Sequence, residues 1–323
     1  MTRNLPFIRK LCAAAVALCA GAAMPALAQD YPNKPVRVIV ASAPGTTVDQ
    51  LARLVTTEMG KVLGQPMVIE NRSGAGQVIG VEAMAKAPHD GYSIGVLGVD
   101  GVALMPLSFK NLRFDPLKDV PPIASLAESR YVLTGPSSRP WKTFQEMFAN
   151  AKANPGKLNY GASAPQVRFG MLVIMQQLGL DIVHIPFSSG ASYLTALGAG
   201  TVDMGIAGEG TSAQLGARVR VYAITGKTRA AALPDVPTFE ELGFPRVYGP
   251  AYSMNGPVGI PPAIVDKLGA AAGTVLAKPD IKASLAKIAF ETTFEKADGA
   301  AKTLADRARV YAEFAAKANI VPE

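Results

Sequence analysis

The sequence predicts an α/β protein built as two doubly wound lobes. Apolar, strand-like runs alternate with segments whose apolar residues recur at helical spacing, and this alternation begins near Tyr31 and restarts near Tyr131. Strands that alternate with helices of this length are typical of βαβ units with largely parallel sheets. The chain has 323 residues, 49% of them hydrophobic, which is enough for two cores.

The first series of elements starts with "VRVIV", which is interpreted as a strand. The segment after the loop "ASAPGTTVD" has helical periodicity, and Gly64 and Pro66 are expected to end it, since glycine and proline commonly close helices. Two further strands are predicted at "MVIE" and "SIGVLG", with a loop and a helix in "GAGQVIGVEAMAKA" between them.

The second series predicts strands at "YVLTGP", "KLNYGA", "DIVHIPF", "TVDMGIA" and "RVYAIT". A Pro- and Gly-rich passage follows from Leu233 to Pro262, and only helices are predicted after it. Because such a tail has no sheet of its own to cover, we expect it to pack on the first lobe. The predicted division gives residues 29–127 and 247–323 to lobe 1, and residues 128–246 to lobe 2.

The first 28 residues have the order of a secretory signal peptide. Basic residues precede the apolar run "LCAAAVALCAGAAM", and Ala26-Leu27-Ala28 supplies the small residues of a cleavage site. Both cysteines, Cys12 and Cys19, lie inside this removable segment, so disulfides and thiol chemistry are excluded from the mature protein. Nothing later approaches the roughly 20 apolar residues of a membrane span. A periplasmic protein is therefore expected, as a monomer.

The charge of the chain is mildly basic. Loss of the signal peptide lowers the formal net charge of +7 by three units. The basic residues are scattered, without runs or interleaved aromatic residues, which argues against a nucleic-acid surface. A gentle positive field suits an anionic small molecule, although solubility explains it equally well.

The loop "ASAPGTTVD" carries the first candidate site. In open α/β sheets, ligands bind beyond the carboxyl ends of strands, where the N–H groups of helix starts point outward. Proline and glycine allow a sharp turn and a close approach, and the threonines add hydroxyls. The alternative is that Thr47 only caps the helix. The candidate ligand-binding residues here are Ser42, Pro44, Gly45, Thr46, Thr47 and Asp49.

Three strand-to-helix turns of the second series have the same small, hydroxyl-rich character. Facing the first loop, they predict a cleft of hydrogen-bond donors, which suits a carboxylate. Arg168 could reach a second carboxylate or lie on a solvated helix face, and Glu209 could face solvent or accept a hydrogen bond from the ligand. The candidates are Ser163, Ala164, Gln166 and Arg168 in the first turn, Ser188, Ser189, Gly190 and Ala191 in the second, and Glu209 in the third.

Enzymatic interpretations find little support. The glycines of "NRSGAGQVIG" are spaced one residue wider than the dinucleotide fingerprint, so a close-packed loop flanking the cleft is expected instead. His89 lies in a predicted turn and His184 in a predicted strand, and the nearest match to a nucleophile elbow, around Ser163, breaks at its last position. Metal-ligand motifs are lacking. We expect no enzymatic activity, no cofactor and no metal.

Taken in order, several segments resemble the periplasmic substrate-binding proteins of tripartite tricarboxylate transporters, also called Bug-type receptors. They include "YPNKPVRVIV", "PGTTVDQLAR", "ANPGKLNYGAS", "HIPFSSGASYLTALGAGTVDM" and "GPVGIPPAIVDKL", and the resemblance covers essentially the whole mature chain. It implies two lobes in the type II periplasmic-binding arrangement, closing on a carboxylate, with the membrane subunits of a transporter as partners. It also implies that the loops at Pro44–Asp49 and Ser163–Arg168 contact the carboxylate, with Ser188–Ala191 at the same cleft.

The sequence departs from the family pattern at three places. The family usually has further glycines at Thr46 and Thr47, commonly His-Leu at Arg168-Phe169, and often a tryptophan near Tyr252. Carboxylate binding is still expected, but the identity of the ligand, aliphatic or aromatic, does not transfer. The alternatives are a receptor that signals to a sensor protein and a secreted carboxylate-metabolising enzyme, which the scarcity of histidine disfavours.

Overall fold

A six-stranded mixed sheet forms the larger part of the structure, a computed structural model that describes residues 31–162, 165–318 and 322. The predicted signal peptide lies outside these residues. In the order in which they lie side by side, the strands are β11 (Phe290–Thr292), β4 (Pro122–Ser129), β10 (Ala251–Asn255), β3 (Ser93–Gly98), β1 (Val36–Val40) and β2 (Met67–Asn71).

Helices cover both faces of this sheet, and the alternation of side chains along β1 shows why. Val36, Val38 and Val40 pack on one face, while Ile39 points to the other, as the two-residue period of a strand requires. The first face is covered by α1 (Thr47–Leu63), α8 (Pro262–Ala277) and α9 (Pro279–Lys287), and the second by α2 (Val78–Ala85), α3 (Val99–Ser108) and α10 (Ala297–Lys317).

Residues 131–224 form two smaller sheets. The first has the order β8 (Gly205–Gly208), β5 (Tyr131–Pro136) and β9 (Val219–Ile224), and the second pairs β6 (Asn159–Ala162) with β7 (Val183–Pro186). A single parallel bridge between Tyr160 and Met204 joins the two sheets. The helices of this part are α4 (Phe144–Ala153), α5 (Pro165–Leu178), α6 (Gly190–Ala199) and α7 (Glu209–Leu215).

The expectation of largely parallel sheets is wrong for part of the structure. β1 is parallel to β2 and β3, and β6 to β7. In contrast, β10 is antiparallel to β3 and β4, β11 to β4, and β5 to β8 and β9. The reason is the route of the chain. The chain passes between the two parts of the molecule at Arg130, between β4 and β5, and returns between β9 and β10; we call this place the crossover. β5 and β10 each begin at the crossover and run away from it.

Two strands also correct the expectation for the last quarter of the chain. β10 lies inside the Pro- and Gly-rich passage, and β11 lies after it, where only helices were expected. β11 has three residues, and both strands pair with β4, more than 100 positions earlier, so no local pattern marks them. The tail helices α8 and α10 pack on the six-stranded sheet.

The carboxyl ends of the strands face each other across the crossover. β10 starts beside the end of β3, with Tyr252 opposite Gly98, and beside the end of β4, with Ala251 opposite Glu128. One residue, Arg130, separates β4 from β5, and β8 and β9 both end beside the start of β5. The loops after β1, β2 and β3 therefore lie on one edge, and those after β6, β7 and β8 lie on the edge that faces it.

A shared core joins the two parts. α5 packs against α3 and α10, and Met171 and Ile174 belong to the same buried cluster as Leu97 and Val102. The rings of Phe169 and Tyr311 lie 5.7 Å apart, edge to face. Within the residues that the structure describes, no helix has the length and apolar character needed to cross a membrane.

Candidate functional site

The loop after β1 is a tight, internally bonded turn. Gly45 has a φ of +79°, a conformation that favours glycine. Thr46 is the N-cap of α1, and its hydroxyl donates to Ala43 O (2.8 Å) and accepts from the Asp49 N–H (3.4 Å). The Ser42 hydroxyl lies 2.8 Å from the Thr46 hydroxyl. The cap is thus Thr46 and not Thr47, and the proton of its hydroxyl is already used.

The carboxylate of Asp49 stabilises this loop through hydrogen bonds. Its buried carboxylate accepts hydrogen bonds from the Gly45 N–H (2.9 Å), Arg53 Nε (2.9 Å) and Asn71 Nδ2 (2.8 Å). Asn71 also donates to Ser42 O (3.1 Å), which ties the loop to the end of β2. Burial raises the pKa of the Asp49 carboxyl, but the hydrogen bonds from Arg53, Gly45 and Asn71 outweigh burial and lower the pKa to about 2. Asp49 therefore stays ionised and shapes the loop.

These contacts leave a small set of free donors. The N–H groups of the first helical residues have no partner within a helix. Asp49 N–H bonds to the cap, whereas Thr47 N–H and Val48 N–H donate to none of the described residues. Both point outward from the positive end of the α1 dipole, beside the exposed Thr47 side chain. Sequence reasoning missed Val48, because only the bonding of its neighbours marks its N–H as available.

The loop after β2 packs closely beside the loop after β1, as the sequence predicts. A Cβ atom added at Gly80 would lie 2.6 Å from the Ala41 Cβ atom, so this contact requires glycine. Gln77 accepts a hydrogen bond from the Gly98 N–H at 3.1 Å, which links the loop to the start of α3.

The turn after β6 is described in part. Ser163 and Ala164 lie outside the described residues, and Gln166 lies in the first turn of α5. Arg168 is exposed, and its charge lies close enough to the Tyr160 phenol to influence the pKa of that group. Burial raises the pKa of Tyr160 to about 12, and the Arg168 charge opposes this rise. Arg168 thus lies exposed on the first turns of α5, at the second edge.

His184 packs beside this arginine. Its ring lies 5.0 Å from the Tyr160 ring. Burial and then the Arg168 charge lower the pKa of His184, which keeps the imidazole neutral. Its Nε2 atom is buried, without a hydrogen-bond partner in the part of the chain that the structure describes. The ring is therefore a packing element and not an exposed base.

The other two turns have different environments. Ser188, Gly190 and Ala191 are exposed after β7, and Ser189 caps α6 by accepting from the Ser192 N–H at 3.1 Å. Glu209 begins α7, and its N–H donates to Arg130 O at 3.0 Å. Burial raises the pKa of Glu209; the Arg130 charge opposes this rise and Glu291 adds to it.

Glu209 therefore belongs to the charged surroundings of the crossover. Arg130 is paired there with Glu291 at 2.7 Å. The structure places Glu209 beside this ion pair, whereas Ser188–Ala191 line the open edge after β7.

A cavity of about 830 Å³ opens at the crossover itself. Arg130, Tyr248, Glu291 and Arg307 are among its lining residues, and none of the predicted ligand residues is. The buried Arg307 pairs with Asp100 (2.6 Å) and with Glu128 (2.8 Å), so its charge is already neutralised. We place the candidate site at the strand ends, because unpaired donors lie there, and not in this cavity. The described residues hold no cluster of metal-ligating side chains.

Comparison with known proteins agrees with this architecture. The family described as the tripartite tricarboxylate transporter family receptor matches residues 51–319. The solved structure of the periplasmic binding protein BugD is 26% identical, with a TM-score of 0.74, over 91% of this chain and 100% of BugD. The α/β fold of periplasmic binding proteins, predicted from the sequence, is thereby confirmed.

Two of the similar structures contain carboxylates. Rpa4515 from R. palustris, solved with adipate, is 26% identical, with a TM-score of 0.77, over 91% of this chain and 100% of its own. MatC (Rpa3494) from Rhodopseudomonas palustris, solved with malate, is 28% identical, with a TM-score of 0.71, over 88% of this chain and 99% of its own. The matching family is one of receptors and BugD is a binding protein, which agrees with the expectation of a binding protein rather than an enzyme. The protein belongs to the family of tripartite tricarboxylate transporter receptors.

Proposed function

We propose that this protein is a periplasmic receptor that captures an organic dicarboxylate and delivers it to the membrane subunits of a tripartite tricarboxylate transporter. The observation that carries the proposal is the pair of unpaired N–H groups, of Thr47 and Val48, at the start of α1. A carboxylate has two oxygens that accept from adjacent N–H donors, and it is favoured at the positive end of a helix dipole.

The loop is preorganised for ligand binding. Asp49 holds Gly45 and Asn71 holds Ser42, so that binding does not have to order the chain. Neutral backbone donors also keep the site free of a buried unpaired cation when it is empty. The proposed ligand-binding residues at this edge are those of the predicted set together with Val48, with Asp49 as their support: Ser42, Pro44, Gly45, Thr46, Thr47 and Val48.

The second edge supplies the other half of the site in this proposal. We assign residues 29–127 and 247–323 to lobe 1 and residues 128–246 to lobe 2, so that the crossover at Arg130 acts as the hinge. Closure would bring the turns at Ser163–Arg168 and Ser188–Ala191 over the ligand and exclude water. Arg168, exposed at this edge, is the cation that the proposal assigns to the ligand.

The proposed location and assembly follow from the sequence and the relatives. A signal peptide over residues 1–28 would export the chain, and BugD is a periplasmic protein. Adipate in Rpa4515 and malate in MatC favour an aliphatic dicarboxylate here. We propose a monomer, because capture and delivery by lobe closure need no second copy.

A thermal-shift screen tests this function. The purified protein is melted with linear dicarboxylates from malonate to suberate, with malate and phthalate, and with sugars and amino acids as controls. A ligand present at a hundred times its Kd stabilises the folded state by about 2.7 kcal/mol. Stabilisation by at least one dicarboxylate and not by the sugars is expected. Stabilisation by sugars or amino acids alone would overturn the proposal.

A further inference from the structure

The loop after β2 has a backbone that side chains rarely adopt. Gly74, Ala75, Gly76 and Gln77 have consecutive positive φ values of 131°, 44°, 58° and 83°. Two of these four residues are not glycine, and a residue as long as glutamine in this region carries a conformational cost. Glycine at position 77 would avoid that cost, so the local fold alone does not explain the glutamine.

The side chain of Gln77 is fixed by what surrounds it. Its Oε1 accepts from the Gly98 N–H at 3.1 Å. A Cβ atom at Gly101 would lie 1.9 Å from Gln77 Nε2, and one at Gly98 would lie 3.1 Å from it. The start of α3 therefore leaves the volume that the carboxamide fills. Because the Gly98 N–H requires an acceptor, the orientation of the amide is determined.

This side chain lies near the end of β1. β1 lies between β2 and β3, and neighbouring strands are about 4.8 Å apart. Gln77 belongs to the loop after β2 and bonds to Gly98 at the end of β3, while Gly80, three residues later, packs against Ala41 directly after β1. The loop after β1, with the donors of Thr47 and Val48, starts at that strand end.

The nitrogen of this amide is available. Gln77 Nε2 donates to no acceptor among the described residues, and it is not one of the buried polar atoms. We propose that Gln77 Nε2 binds the second carboxylate of the ligand and makes the receptor selective for dicarboxylates over monocarboxylates. This inference rests on the proposed function, in which the first carboxylate binds at the start of α1. The edge thus has two separate sets of donors for a ligand with two anionic ends.

Gln77→Glu separates this role from a structural one. The glutamate keeps an oxygen for the Gly98 N–H, but it replaces the donor with an anionic oxygen. Gln77→Gly is the second variant: glycine suits the backbone and removes both the donor and the acceptor of the Gly98 N–H, so only Gln77→Glu isolates the donor. Gln65→Glu is the matched control, because it adds the same charge just before β2, at the opposite edge of the sheet.

The assay is isothermal titration of each protein with the linear dicarboxylate that binds the wild type most tightly, and with the monocarboxylate of equal chain length. Gln77→Glu and Gln77→Gly are expected to weaken dicarboxylate binding by about tenfold or more, the loss of a hydrogen bond to a charged group. Monocarboxylate binding should change by less than about twofold, and Gln65→Glu should bind both as the wild type does.

The outcomes distinguish this inference from the function on which it rests. Melting of each variant without ligand confirms that it folds. Equal dicarboxylate binding by the wild type and both Gln77 variants, or an equal loss for dicarboxylate and monocarboxylate, overturns the role of Gln77 and leaves the carboxylate receptor standing. A wild type that binds no dicarboxylate overturns both.

Discussion

Replacement of Thr47 by proline removes one of the two free N–H groups at the start of α1 without disturbing the helix. Thr47 is the first helical residue, where proline is well tolerated because its missing N–H has no helical partner. The preceding residue, Thr46, has φ −68° and ψ 162°, the extended conformation that a following proline requires. Stability should therefore change little, or rise by about 0.5 kcal/mol.

The expected loss in binding follows from the lost donor. A hydrogen bond to a charged group contributes about 1.5–3 kcal/mol, which corresponds to about a 10- to 150-fold weaker Kd. Thr47→Val is the matched variant, since it keeps the N–H and removes only the hydroxyl. Titration with the best linear dicarboxylate, together with a thermal melt without ligand, measures both effects.

The two variants assign the interaction to one group. Weak binding by Thr47→Pro with near-normal binding by Thr47→Val identifies the backbone N–H as the donor. If the proline variant folds and binds the dicarboxylate as tightly as the wild type, the carboxylate does not bind at the start of α1.

Three further predictions follow from the same structure. The pKa of Asp49, lowered from 3.8 to about 2, stabilises the fold above pH 4, and about 2 kcal/mol of that stability should be lost as the pH falls from 4 to 2. Denaturant melts at pH 5 and pH 2.5 should show this loss in the wild type and a smaller one in Asp49→Asn; equal losses would contradict the role of Asp49. Gly45→Val should destabilise the loop by about 1–3 kcal/mol and weaken dicarboxylate binding, because valine strongly disfavours a φ of +79° although its Cβ would meet no protein atom, and unchanged binding would move the site elsewhere. Arg307→Met should lower the free energy of unfolding by about 3 kcal/mol, the low end of the range for a broken buried pair, because it leaves the mostly buried Asp100 and the half-exposed Glu128 without their cation. A urea titration measures that change, and an unchanged midpoint would refute the argument.

Local patterns were enough for the regular part of the fold. The periodicity of α1 and the apolar run of β1 appear in the sequence at the observed places, and Gly64 ends the helix in a left-handed conformation, as predicted. β11 was not predictable, because its three residues form a strand only by pairing with residues 127–129 of β4. Non-local pairing of this kind leaves no periodic signal.

The same distinction applies to the site. Small and hydroxyl-bearing residues after β1 were visible in the sequence, but the bonding state of each donor was not. Asp49 looks like a ligand-facing acid until its contact with Asn71, 22 positions later, is seen. Gln77 was hidden in a cluster of glycines, since its contacts depend on Gly98 at the end of β3 and on Gly101 in α3.

The packing of α5 limits how this receptor can open. Phe169 and Tyr311 lie in a core that continues from one part of the molecule to the other, so parting the two edges widely would expose these rings at about 2 kcal/mol each. A small sliding of α5 along α10 avoids that loss. The radius of gyration measured by solution scattering should thus differ little between the empty and the loaded protein. The transporter would then have to recognise the loaded protein through a local change of the surface at the mouth of the cleft and not through a change in overall dimensions.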